Sequence, residues 1–244
     1  MNNQPKLHAY LAHLGLASRR KAEEMIAQGR VWVNNQRATV GDRVTPGQDK
    51  IEVDGKNVSQ RQTEPLTYYL VNKPIGYIST ADDELGRKTV LSLIPASKER
   101  LYPVGRLDKD SEGLMLLTND GDLAYRMTHP RFEIDKLYKV LINAEPTEKA
   151  LDFIRRGVKL GSTFTKPAEV ELVNVVDEGA WLEIKIHEGK QHQVRRMLER
   201  AGYDTVRLIR LQMGPLTLKD LHGKRFQKLT DEQVMRLKKA IGLN

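Results

Sequence analysis

Residues 105–122 read GRLDKDSEGLMLLTNDGD, and the way this stretch folds organises everything around it. GLMLLT (113–118) is apolar enough for an interior strand, while Asp108, Asp110, Glu112, Asp120 and Asp122 crowd its two ends. TNDGD is turn chemistry, because Asn, Asp and Gly accept unusual backbone angles and bond their own main chain. Asp120 and Asp122 are thereby expected to close the turn and cap the helix LAYRMT. Asp110, Ser111 and Glu112 lie in a polar connection that solvation explains. Asp108 differs, since it sits between LYPV and LMLL, two residues after Arg106, where partial burial is expected. From these residues alone it fits either a salt-bridged structural acid or a reacting one.

Outward from this stretch, strands and helices alternate. TYYLVNKP, GLMLLT, KLYKVLINA, AEVELVNVV and WLEIKIHEG have the composition of strands. DGDLAYRMTHP, PTEKALDFIRRG, QHQVRRMLERAG and TDEQVMRLKKAIG have helical spacing, the last opened by a Thr230–Gln233 capping box. Before them, LHAYLAHLG predicts a helix ended by Gly15, and ASRRKAEEMIAQG a second one capped by Ser18 and ended by Gly29. Hairpins are expected at Asn34–Asn35 and Asp54–Gly55. The polar run NVSQRQTEPL (57–66) predicts a linker, dividing the chain into residues 1–62 and 63–244. The expected class is α+β, with a small N-terminal domain and a larger mixed, largely antiparallel sheet flanked by helices.

Composition narrows the chemistry. There are no cysteines, which excludes disulfides, zinc–thiolate sites and a cysteine nucleophile. No dinucleotide glycine fingerprint, P-loop or metal-ligand cluster is present, so neither a cofactor nor a metal is expected. No run approaches a membrane span and the polar start MNNQPKLH lacks a signal peptide's apolar centre, so a cytoplasmic monomer is expected. The net charge of +8 points to a polyanion. Residues 1–62 hold 10 Lys/Arg against 6 Asp/Glu, half of that excess in a quarter of the length. Arg19, Arg20 and Lys21 open the second helix, where cations oppose the macrodipole at roughly 0.3–1 kcal/mol each. A bound phosphate would relieve that cost, and a solvated face would tolerate it.

ASRRKAEEMIAQGRVWVN, within residues 5–62, resembles the alpha-L (S4-like) RNA-binding domain of ribosomal and RNA-modifying proteins. The resemblance implies that the second helix, with Arg37 and Arg43, grips structured RNA. GRLDKDSEGLMLLTNDGDLAYRMTHP resembles the signature of RNA pseudouridine synthases, in the branch of the small-subunit synthase A and large-subunit synthase B enzymes. LVNKPIGYIST (70–80) before it, and KLYKV (136–140) and EGKQHQVRRML (188–198) after it, stand in that family's order. The resemblance implies isomerisation of a ribosomal RNA uridine, in 23S or alternatively 16S RNA, free or in a pre-ribosomal particle. It assigns Asp108 as nucleophile, with Tyr138 and Arg195 as catalytic partners. It counts Arg106 and Lys73 as RNA-binding, although the motif of Lys73 is mainly structural.

The expected arrangement pairs Arg195 with Asp108 across the sheet, keeping the carboxylate ionised beneath a flipped base. Tyr138 is expected to stack on that base. His192 and His129 are expected to be helix-end residues rather than bases. A non-catalytic ribosome-assembly protein and a carboxylate hydrolase acting on nucleosides are the competing readings. The intact GRLD aspartate opposes the first and the basic N-terminal segment opposes the second.

Overall fold

The structure, a computed structural model, describes residues 4–60 and 64–243. The chain divides into two compact units, residues 1–66 and 67–244. The boundary expected between 62 and 63 falls on residues 61–63, outside the described residues.

In the first unit, helix α1 (Leu7–His13) and helix α2 (Arg19–Ala27) pack on a sheet of β1 (Val31–Val33), β2 (Gln36–Arg37), β3 (Ile51–Val53) and β4 (Lys56–Asn57). The strand order is β2-β1-β3-β4. Leu7, Leu11, Leu14, Ala22, Ile26, Val31, Val44 and Ile51 make its core. The Ser18 hydroxyl accepts the Lys21 N–H, which fixes where α2 begins. Asn34 and Asn35 both have positive φ (50° and 63°), as do Asp54 and Gly55 (50° and 73°), so the two hairpins turn where the sequence predicts.

The second unit is built on one large sheet. Its strands are β5 (Tyr68–Lys73), β6 (Tyr102–Pro103), β7 (Glu112–Thr118), β8 (Lys136–Ile142), β11 (Glu169–Val176), β12 (Gly179–Ile186), β13 (Thr205–Met213), β14 (Leu216–Thr217) and β15 (Phe226–Lys228). A separate small hairpin pairs β9 (Lys159–Leu160) with β10 (Thr163–Phe164). The helices are α3 (Gly121–Thr128), α4 (Glu148–Arg155), α5 (Gln193–Arg200) and α6 (Asp231–Ala240). The main path runs β11-β12-β8-β13-β7-β5-β15, with β13 and β7 parallel and the other pairs antiparallel.

Strand β7 is apolar along its length because the sheet is covered on both faces. Met115 and Leu117 enter one buried cluster, while Leu114 and Leu116 enter another. Successive residues of a strand point to opposite faces, so both sets must be apolar. Strand β13, which the sequence reading did not find, lies at the centre between β7 and β8. It pairs with β7 only at Ile209–Glu112 and Arg210–Gly113, and β6 takes over that edge at Leu117 and Thr118. The Leu114 carbonyl falls in the gap and accepts from Arg210 Nε at 2.8 Å. Gly113 (φ 109°) permits the close approach, since a Cβ there would lie 2.3 Å from the Arg210 carbonyl oxygen.

Candidate active site

The connection between β6 and β7 carries Asp108, and its backbone is held from three sides. Ser79 Oγ donates to the Leu107 carbonyl at 2.6 Å and accepts the Leu107 N–H at 3.0 Å. The Ser111 N–H closes a turn onto the Asp108 carbonyl at 3.1 Å. Lys73, at the end of β5, donates from Nζ to the carbonyls of Ser111 (2.6 Å) and Pro74 (3.1 Å). Leu107 is buried in the same cluster as Tyr138 on β8, which anchors the residue preceding the aspartate.

Burial pushes the Lys73 ammonium down to about 8, opposed by the nearby charges of Asp110, Asp108 and Glu112. Lys73 is fully buried, and its Nζ is occupied by those two carbonyls. The expectation that it binds RNA is therefore corrected: it braces the 108–111 turn from beneath. Lys136 and Arg210 are also buried in this sheet, so three cations lie inside the unit.

The expected pairing of Arg195 with Asp108 is corrected as well. The Asp108 side chain instead meets His192, whose Nδ1 lies 3.2 Å from Oδ2. His192 occupies the N-cap position of α5 in a left-handed conformation (φ 50°, ψ 30°), and its side chain makes no capping bond. Arg195, one turn into the helix, lies against the next part of the loop. It pairs with Asp110 Oδ2 at 3.1 Å, and its Nη2 also meets the Asp110 carbonyl and Ser111 Oγ at 3.3 and 3.4 Å. Its Nη1 donates to the Thr205 carbonyl at 3.3 Å, while Nε is buried without a partner among the described residues.

The other carboxylates of the opening stretch separate by role. Glu112 takes both Nε and Nη2 of Arg207 (2.6 and 3.0 Å), so solvation does not explain it. Ser111 is fully buried rather than solvated. Asp120 caps α3 through the N–H groups of Asp122 and Leu123, as the sequence predicts. It also accepts from the Tyr68 hydroxyl at 2.7 Å and meets Lys238 Nζ at 3.1 Å. Burial would raise the Asp120 carboxyl, but the bonds from Leu123, Tyr68 and Lys238 prevail and hold it below its ordinary value.

The Asp108 side chain is 29% exposed, Tyr138 is buried at 8%, and Arg106 is exposed with no carboxylate partner among the described residues. Among the described residues, no group of three His, Cys, Asp or Glu could hold a metal ion. No described helix is long and apolar enough to cross a membrane.

The other residues expected to bind RNA belong to the first unit. Arg19, Arg20, Lys21, Arg37 and Arg43 are all exposed. Lys21 pairs with Glu24 at 2.9 Å, Arg43 donates to the Gln4 carbonyl, and the Arg37 guanidinium lies over Gly29.

Residues 67–200 match the family described as RNA pseudouridylate synthase, and residues 6–50 match the S4 domain. The chain is 42% identical to the ribosomal large subunit pseudouridine synthase B of Bacillus subtilis, covering 96% of this chain and 95% of that one. It is 35% identical to the dual-specificity RNA pseudouridine synthase RluF of Escherichia coli K12, covering 97% of this chain and 79% of that one. A crystal structure described as a pseudouridylate synthase superposes with a TM-score of 0.67 at 28% identity, over 95% of this chain and 99% of that one.

Proposed function

The chain belongs to the RNA pseudouridylate synthase family, and on that premise we propose that it isomerises a uridine of large-subunit ribosomal RNA, with Asp108 as the nucleophile. The bond between uracil N1 and ribose C1′ breaks, the base turns, and C5 takes its place. A proton leaves C5 and one arrives at N1, so atoms and electrons balance without an external carrier. The observation that carries the assignment is the Asp108 carboxylate, partly open, on a loop fixed by Ser79, Ser111 and Lys73. A carboxylate is competent for covalent work at a glycosidic centre. Attack at C1′, attack at C6 and removal of a ribose proton all give the same overall balance.

The other parts follow from their positions. His192 holds the carboxylate before RNA arrives, and Arg195, with a spare buried donor at Nε, steadies the loop through Asp110. Tyr138, 8% exposed before RNA is bound, is the ring we assign to stack on the extruded base, recovering about 1–3 kcal/mol of the few kcal/mol that extrusion costs. The exposed cations of the N-terminal unit supply affinity for the RNA backbone. The protein acts in the cytoplasm as a monomer on ribosomal RNA or a pre-ribosomal particle.

The test follows the proton. Large-subunit ribosomal RNA transcribed with tritium at uracil C5 should release it to water with wild-type protein and not with Asp108→Asn. Carbodiimide-dependent primer extension should then show a single new stop. Wild-type protein releasing no tritium from this RNA or from small-subunit RNA would sink the reading.

A further inference from the structure

The end of α3 and the turn after it carry a surface cluster that the isomerisation does not use. The ring of Tyr125 lies 4.8 Å from that of His129 and 5.7 Å from that of Phe132, the latter edge-on at 86°. The Arg131 guanidinium sits over both Phe132 (4.4 Å) and Tyr125 (5.2 Å). Arg126 covers Phe132 at 5.0 Å. His129 and Arg131 are exposed, and Tyr125 is 43% exposed.

Core packing does not account for these rings. Phe132 is only half-buried and joins none of the three buried clusters, and Tyr125 faces solvent. Local charge pairing does not account for Arg131 either. It has no carboxylate partner among the described residues, and neighbouring Glu133 is committed to Lys166. An exposed aromatic surface with an uncompensated guanidinium suits a ligand offering flat rings and negative charge together. Single-stranded nucleic acid is such a ligand, because bases stack on aromatic faces while phosphates take the cation.

The placement is specific. The Thr128 methyl at the end of α3 would lie 3.4 Å from a Cβ on Gly105, so the cluster abuts the segment holding Arg106 and Asp108. The same turn runs on into β8, where Lys136 opens the strand and Tyr138 follows. The cluster is thus tied to both the carboxylate loop and the strand beneath it.

We propose that Tyr125, Arg131 and Phe132 form a stacking platform for unpaired nucleotides beside the target uridine, with Arg131 taking the phosphate charge between them. This rests on the reading that the chain isomerises uridine in RNA. The platform holds the neighbours while the target is extruded, so it acts on substrate binding rather than on the chemical step.

The experiment combines tritium release with filter binding, using the full chain and a large-subunit ribosomal RNA transcript. Tyr125→Ala and Phe132→Ala should each raise KM about tenfold with kcat within about twofold, the size expected for one lost base stack. Phe132→Tyr should restore the wild-type KM. Arg131→Ala should reduce the slope of log affinity against log salt by about 0.7, the value for one single-strand phosphate contact. Tyr125→Ala should leave that slope unchanged. If Phe132→Ala fails to fold, the exposed positions Tyr125 and Arg131 carry the test. A Tyr125→Ala/Arg131→Glu variant with wild-type KM and salt slope overturns the platform. Wild-type protein without turnover would overturn the functional reading instead.

Discussion

The two compact units use positive charge in opposite ways. In the N-terminal unit the cations of α2 are at the surface, and Arg19 and Arg20 form no ion pair among the described residues. In the second unit Lys73, Lys136 and Arg210 are buried in the sheet, bonded to the carbonyls of Ser111 and Pro74, Ile134, and Leu114. Exposed charges act through solvent and are screened beyond roughly 10 Å at moderate salt. Buried ones are screened little and act through fixed geometry. The named cations of α2 are thus open to screening by salt, whereas Lys73, Lys136 and Arg210 hold the sheet and its loops through bonds that salt does not reach.

The contrast is sharpest at Asp108. Asp108→Asn should bring turnover to background while RNA binding and its salt slope stay at the wild-type level, measured by tritium release and filter binding. Loss of binding alongside turnover would erase the distinction between the units. Next in size is an attack on the fixed geometry itself. Gly113→Ala places a Cβ 2.3 Å from the Arg210 carbonyl, at a φ that L side chains rarely adopt. It should destabilise the protein by about 3–5 kcal/mol in urea unfolding, a cost reserved for positions of this kind.

Two smaller effects sharpen the comparison further. Asp120→Ala should cost about 2 kcal/mol, because it removes a helix cap together with the Tyr68 and Lys238 contacts. The Asp120 carboxyl is held below its ordinary value, so its contribution is complete above the unfolded pKa of about 3.9. That contribution should fade as pH falls through the folded value, and unfolding curves of wild type and Asp120→Asn should converge in acid. Arg19→Ala with Arg20→Ala should move stability least, raising it by up to about 1 kcal/mol as cations leave the helix N-terminus. The pair should still lower the salt slope of RNA binding by up to about 0.9 per lost duplex phosphate contact.

Signals that act within a few residues were legible. Asn34–Asn35 and Asp54–Gly55 turn because those residues tolerate positive φ, and Ser18, Asp120 and Thr230 cap because their side chains reach the next turn's N–H groups. GLMLLT was legible as a strand because it is an apolar run from Leu114 to Leu117 between Gly113 and Thr118. Strand β13 was not, although it lies at the centre of the sheet. Arg207 and Arg210 interrupt its apolar pattern, and pairing irregularities between Thr205 and Arg207 and between Arg210 and Gln212 break its period of two. Only the Leu114 carbonyl and the Glu112 carboxylate explain why arginines belong there.

The amino-acid order alone determined the α+β class, the turns and caps, and the stretch holding Asp108. Folding in three dimensions decided which side chain meets which: His192 meets Asp108, Arg195 meets Asp110, and Lys73 meets the Ser111 and Pro74 carbonyls. Turn and cap preferences are written in neighbouring residues. The partner of a charge depends on the direction in which a distant helix begins, here set by one left-handed residue at the start of α5.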